Sequence, residues 1–275
     1  GLGVIYVITS ATYLFLLCFY YYSQGTPEAA ENVLRALTLA VCILFGGFMG
    51  LLDDWMDLRW RYKAFFPLIA AIPLITLAIK LGLRTSMTIP FIGSVDFGDA
   101  YYFVIVPLIV TVTTNTVNQL GGLNGLETIC PAIILIGIMT ISGPRAILLY
   151  FPMIVWLALA YFNFRGKIFV GNTGSFAIGL TLAAYAIISD LKTSLLISLL
   201  PYIFNSCLIL LTYFFSRQKA AVSSDGGKLS SDHRRSMITL VTYHRHLTER
   251  QVVIIISLLV AASTFAALMV QWFLT

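Results

Sequence analysis

The stretch "FMGLLDDWMDLRWRYK", residues 48–63, decides how this chain is read. An apolar run ends in three acids, Asp53, Asp54 and Asp57, and three bases follow at alternate positions, Arg59, Arg61 and Lys63. The chain has only 12 acidic residues in all, so a quarter of them fall in one turn. If the helix continues through the acids, residues three and four apart stand on one side with Cβ atoms about 5–6 Å apart. Like charges that close repel, and at a membrane boundary the repulsion is poorly screened. The cluster therefore calls for a cation, either the bases that follow or Mg²⁺. The plainer reading is a helix end decorated with interfacial charge.

Composition extends the reading outward. The 275 residues are 59% hydrophobic and 11% charged, whereas an ordinary soluble domain carries about 25% charged residues. A hydrocarbon core ~30 Å thick is crossed by about 20 apolar residues in a helix. Nine runs fit: 3–22, 33–52, 65–82, 101–118, 127–142, 146–163, 174–190, 192–215 and 251–274. They predict an all-α polytopic membrane protein with a single transmembrane domain over 1–275. The formal charge of +5 fits basic cytoplasmic loops better than nucleic acid. Cys18, Cys42, Cys130 and Cys207 each sit in an apolar run without ligand-like spacing and read as buried small hydrophobes. The chain starts at Gly1, already apolar, so a segment is expected to precede it, and no basic segment of a cleavable signal is visible.

With these spans the connections alternate between two sets. Of 17 bases, twelve fall in the set containing 52–64, 119–126, 164–173 and 216–250, which places that set in the cytoplasm. The opposite set contains 83–100, whose "MTIPFIGSVDFG" predicts a small external hairpin. The 216–250 loop holds all three histidines and is expected to be a cytoplasmic substrate-recognition loop. Gly46 and Gly50, four apart in "GGFMG", predict close helix packing.

Three further clusters fall on the same face as the acids. "TTNTVNQLGGLNGLE" (113–127) brings Asn115, Asn118 and Asn124 to a helix end, with Gly121, Gly122 and Gly125 allowing tight turns. An asparagine offers a carbonyl oxygen to a metal and an amide to a base edge. "GKIFVGNTGSFAIG" (166–179) opens a helix with glycine and hydroxyl residues, which suits an anionic ligand, and Phe169 just before it can stack on a ring. "YHRHLTER" (243–250) places Arg245 between His244 and His246, groups suited to phosphate oxygens. Each cluster also has a structural reading as a turn, a cap or a basic juxtamembrane stretch. Together on one face they form a site with donors for a divalent cation, bases for phosphates and turns for a nucleotide.

These residues resemble the polyprenyl-phosphate N-acetylhexosamine-1-phosphate transferases, most nearly the archaeal and eukaryotic UDP-GlcNAc:dolichyl-phosphate GlcNAc-1-phosphate transferases. "LLDDWMDLRWRYK", "NTVNQLGGLNGLE" and "IFVGNTGSFAIG" look like three of their motifs, in family order across residues 53–179. The resemblance implies a ten-helix fold of which nine helices are present. It implies transfer of GlcNAc-1-phosphate from UDP-GlcNAc to a polyprenyl or dolichyl phosphate, with release of UMP, as the first step of lipid-linked oligosaccharide synthesis for N-glycosylation. It implies Mg²⁺, with Mn²⁺ as the substitute, an archaeal plasma or ER membrane location, and it admits a homodimer.

Carried over by position, Asp53 and Asp54 would be catalytic, and Asn118 and Asn172 would ligate Mg²⁺. Lys63 would hold the acceptor phosphate, and Asn124 and Phe169 would bind the uracil. Asp57, Gly122, Arg217, His244, Arg245 and His246 complete the expected substrate-binding set. The family has Asp where this chain has Asn172. An amide oxygen still ligates Mg²⁺ but carries no charge, so weaker metal binding and slower turnover are expected. A bacterial-type relative using undecaprenyl phosphate is the neighbouring reading. A cation-coupled transporter is the distant one, and it would need charge at mid-span, where this chain has almost none.

Overall fold

The computed structural model describes residues 1–89, 92–216 and 220–274. Helix α1 spans Gly3–Gln24 and α2 spans Pro27–Met56. The two residues between them act as a stop and a start. Gly25 takes the left-handed conformation at φ 64°, and Thr26 caps α2 by accepting the Ala29 amide, with Pro27 at the first helical position. Helix α3 (Trp60–Lys80) follows, then strands β1 (Ser86–Ile89) and β2 (Gly93–Asp96), a π-helical turn at Tyr101–Ile105 and α4 (Val106–Gln119). Next come α5 (Leu126–Thr140), a 3₁₀ segment at Gly143–Leu149, α6 (Tyr150–Phe164), α7 (Gly171–Ile188), α8 (Lys192–Ser198) and α9 (Leu200–Ser216). The chain ends with β3 (Ser223–Asp225), β4 (Lys228–Ser230), α10 (Met237–Val241), β5 (Leu247–Thr248) and α11 (Glu249–Leu274).

The protein is an all-α polytopic membrane protein, and its helices fall close to the predicted runs. Among the described residues, seven helical segments are long and apolar enough to cross a bilayer. The run at 192–215 differs, because it breaks after α8 and bends by 56° before α9. Pro201 lies in the first turn of α9, where a missing amide costs nothing. The run at 127–142 forms a helix of 15 residues, shorter than the ~20 that a bilayer core needs.

Helix α7 is the axis of the bundle, with 89% of its spanning window buried. Its sequence, "GNTGSFAIGLTLAAYAII", is apolar or small on every side, as a helix surrounded by others must be. The predicted close packing of "GGFMG" is against this helix. A Cβ on Gly50 would lie 2.1 Å from the Asn172 carbonyl oxygen, and one on Gly46 would lie 2.8 Å from that of Phe176. Gly47, on another side of α2, faces Val7 of α1.

The two ends of the bundle differ. At one end the hairpin forms as predicted, with Met87 opposite Val95 and Thr88 opposite Ser94; residues 90 and 91 lie outside the described residues. Buried Lys192 fastens it to α8 by pairing with Asp190 at 2.7 Å and donating to the Arg84 carbonyl. At the other end residues 220–250 form more than a plain loop. Strands β3, β4 and β5 form an antiparallel sheet, and Ser236 caps α10 in a reciprocal pair with Thr239.

Candidate active site

Asp53 and Asp54 are adjacent in the last turn of α2 but point to different partners. Asp53 is buried at 3% exposure. Its Oδ1 accepts the Leu58 amide at 3.0 Å and pairs with Lys63 Nζ at 2.8 Å, while its Oδ2 is buried without a partner. Asp54 turns toward α7. Its two oxygens accept the Asn172 amide at 2.8 Å, the Thr173 amide at 3.2 Å and the Thr173 hydroxyl at 2.8 Å. A carboxylate on the orphan amides of a helix start is favoured by charge and by hydrogen bonding. The approach also needs Gly171, at φ 68°, where a Cβ would lie 2.7 Å from Asp54 Oδ2.

Asp57 departs from the expected row of three. It ends α2 in the left-handed conformation at φ 47°, so its exposed side chain leaves the helical face of the other two. Two divergent carboxylates, each with its own donors, relieve the repulsion that sequence spacing alone would predict.

Asn118, one residue from the end of α4, meets the start of α7 through Ser175. The Ser175 hydroxyl donates to Asn118 Oδ1 at 2.6 Å and contacts the Asn172 carbonyl at 3.3 Å. The hydroxyl thus joins the Asn118 side chain to the first turn of α7, where Asn172 lies. Among the described residues no three carboxylates, imidazoles or thiols gather into a ready cage. Mg²⁺ does not need one, because it is usually held by one or two protein oxygens with waters and substrate phosphates. The amide oxygens of Asn118 and Asn172 and the unpartnered Asp53 Oδ2 make a donor set that fits a hard cation.

The turn that carries Asn124 uses positive φ at Gly122 (92°) and Gly125 (99°). It is held from outside. Fully buried Asn163, on α6, accepts the Gly125 amide at 2.8 Å and the Thr128 hydroxyl at 3.1 Å, and donates to the Ile168 carbonyl at 2.9 Å. One side chain thus joins the Asn124 turn to the segment carrying Phe169, whose ring is 70% exposed. The Asn124 amide side chain lies beside Gly166, and its backbone N–H donates to Glu249 of α11. Sequence reading missed Asn163 and Glu249; it placed Thr173 and Ser175 at a helix start without their partners Asp54 and Asn118. An amide at the end of an otherwise apolar run was the available signal for Asn163.

His244 and His246 do not join the acids directly. With His233, Arg235, Asp232 and Ser231 they line a cavity of about 670 Å³ within the 220–246 segment. His244 has φ 50° and donates its amide to the Ser231 carbonyl; the Arg245 amide donates to Thr242. Arg217 lies outside the described residues.

A groove of about 530 Å³ runs between α3, α4 and α9. Lys63, Asn115, Asn118 and Gln119 form part of its wall, and Trp60, Ile203, Leu210, Tyr213 and Phe214 make much of the rest apolar. Cys207 faces this groove and is exposed, contrary to the expectation of a buried thiol; Cys42 and Cys130 are buried as expected.

The profile of Glycosyl transferase family 4 matches residues 36–190. A Sulfolobus acidocaldarius protein is 34% identical over 74% of this chain and 62% of its own length. One from Saccharolobus solfataricus is 33% identical over 78% of this chain and 65% of its own. Both are provisionally assigned as UDP-N-acetylglucosamine–dolichyl-phosphate N-acetylglucosaminephosphotransferases. The Schizosaccharomyces pombe enzyme of that name is 28% identical over 62% of this chain and 44% of its own length. The chain thus matches less than two thirds of the length of these relatives.

Proposed function

The chain belongs to glycosyl transferase family 4, and from that membership we propose that it transfers GlcNAc-1-phosphate from UDP-GlcNAc to a dolichyl-type polyprenyl phosphate, releasing UMP. The observation that carries the reading is the meeting of two unlike compartments at Lys63. On one side Lys63 pairs with buried Asp53, beside the Asn118–Ser175–Asn172 cluster; on the other it lines a largely apolar groove. A polar, oxygen-rich corner at the end of an apolar trough suits a substrate with a phosphate head and a hydrocarbon tail. The names of the relatives support UDP-GlcNAc as donor and dolichyl phosphate as acceptor.

In this reading the tail lies between α3, α4 and α9, and its phosphate meets Lys63. Asp53 orients the ammonium group. The acceptor phosphate needs no base, because its second ionisation lies at about pH 6. Asp54 acts by holding the α7 N-terminus, and so Asn172, in register with α2. Asn124 and Phe169 take the uracil, one by its edge and the other by its face. Mg²⁺, when bound by Asn118 and Asn172, supplies neutralisation of the charge that develops as UMP leaves. The rest is positioning, which carries most of the acceleration in phosphoryl transfer.

The basic bias of the loops at this end supports a cytoplasmic site in an archaeal plasma or ER membrane. The test is to incubate purified protein with labelled UDP-GlcNAc, dolichyl phosphate and Mg²⁺. UMP and a labelled pyrophosphate lipid are expected, and both should vanish without the lipid. Failure with dolichyl phosphate but turnover with undecaprenyl phosphate would move the protein to the bacterial-type branch; no UMP with either would reject the reading.

A further inference from the structure

The N-terminus of α11 is closed by its own residues. The Thr248 amide donates to Gln251 Oε1 at 2.8 Å, and the Gln251 amide donates back to Thr248 Oγ1 at 3.3 Å. That reciprocal pair is a complete helix cap. Glu249, the first residue of α11, is left over from it. Its carboxylate reaches to the 121–125 turn, where Oε1 accepts the Asn124 amide at 2.6 Å. A glutamate in a first helical turn is favoured by the helix dipole wherever it points. This one points at a backbone 125 residues away, in the turn assigned above to the base.

Resting on that assignment, we propose that Glu249 is a positioning residue for base recognition: by holding the Asn124 N–H it sets the direction in which the Asn124 side chain meets uracil. The turn needs an external brace, since it contains Gly121, Gly122 and Gly125 and is at positive φ in two of them. It has two braces, on consecutive amides and from different helices: Glu249 of α11 on Asn124, and Asn163 of α6 on Gly125. The second also fixes the segment leading to Phe169 through Ile168. Uracil presents an N–H between two carbonyls, and an asparagine amide pairs with that edge only when its plane is set. Glu249 also follows the His244–Arg245–His246 segment after the two residues of β5, so one hydrogen bond joins the loop carrying those bases to the base-reading turn.

The test compares the wild-type protein with E249A, E249Q and Q251A, measuring UMP and CMP binding by calorimetry and KM and kcat for transfer. E249A is expected to weaken UMP by about tenfold and to narrow the UMP-over-CMP preference by a similar factor, as loss of a charge-assisted hydrogen bond would. Its kcat should stay within about threefold, because the interaction serves binding more than chemistry. E249Q keeps the accepting oxygen and should restore the preference. Q251A breaks the helix cap and should lower thermal stability while leaving the UMP/CMP ratio unchanged. If E249A cannot be recovered from membranes, E249D, whose shorter side chain withdraws the acceptor, is measured in its place. An unchanged UMP/CMP ratio in E249A, or an equal shift in Q251A, would overturn the proposal. A wild-type protein that binds no UMP would reject the proposed function itself, a result distinct from either of these.

Discussion

Asp54 Oδ1 accepts the backbone amide of Asn172 at 2.8 Å, so a carboxylate at the end of α2 closes the start of a helix 118 residues further along the chain. The same carboxylate takes the Thr173 amide and hydroxyl. Its neighbour Asp53 takes no part in this and pairs with Lys63. Two adjacent acids therefore do different work, and their variants should fail differently.

Asp54→Ala removes an N-terminal cap from the central helix and should cost about 1–2 kcal/mol of stability, the usual value of such a cap. Asp54→Asn keeps an acceptor and should keep most of the melting temperature. Thermal unfolding in detergent beside a transfer assay checks both. Equal melting temperatures for wild type and Asp54→Ala would remove the capping role.

Asn172→Asp adds a charged oxygen at the start of α7 and leaves in place the backbone amide that Asp54 holds. Half-maximal activity should then need less Mg²⁺, by about tenfold for one added charge near the ion. A Mg²⁺ titration of both forms decides it. Identical curves would take position 172 out of the metal site.

Gly50→Ala should separate α2 from α7. The added Cβ would lie 2.1 Å from the Asn172 carbonyl oxygen, a contact that only backbone movement relieves. Overpacking of this kind costs about 1–3 kcal/mol. Activity should fall further than stability does, because Asp54 and Asn172 lose register. A Gly25→Ala control, strained by its left-handed φ of 64° but with nothing within 4 Å of the added Cβ, should leave the acid–amide contact intact.

Cys207 lies exposed in the α3–α4–α9 groove, while Cys42 and Cys130 are buried. A maleimide should modify Cys207 first, and polyprenyl phosphate should slow the reaction. Mass spectrometry of the modified peptide reads the rate. Protection by UMP alone but not by the lipid would argue against the groove as the acceptor site.

Cysteines introduced at positions 54, 124 and 245 should resist a membrane-impermeant reagent applied outside intact cells and react once the membrane is opened. Labelling from outside would put the site on the opposite face.

Much of this architecture is legible in the sequence because lipid imposes a length on each apolar run. The pattern reached the helices, the hairpin and the α2–α7 packing at Gly46 and Gly50. It gave the gathering of Asn118, Asn172 and the acid pair at one end, because order along spans fixes which ends lie together. It did not give the divergence of Asp53 and Asp54, since spacing on a helix says nothing of partners on another. Nor did it reveal Asn163 or Glu249, whose importance lies in backbone amides far away in the chain. The 56° bend between α8 and α9 escaped because an apolar run reads the same whether straight or bent.

That bend has a consequence for what the protein can accept. Beyond the bend α9 forms one wall of the groove, and its Leu210, Tyr213 and Phe214 are exposed. In the proposed function a long isoprenoid would enter there sideways, without leaving the bilayer, and all but its first units would remain dissolved among the acyl chains. Encounter is then a search in two dimensions, and the length of the tail is measured by the membrane rather than by the protein.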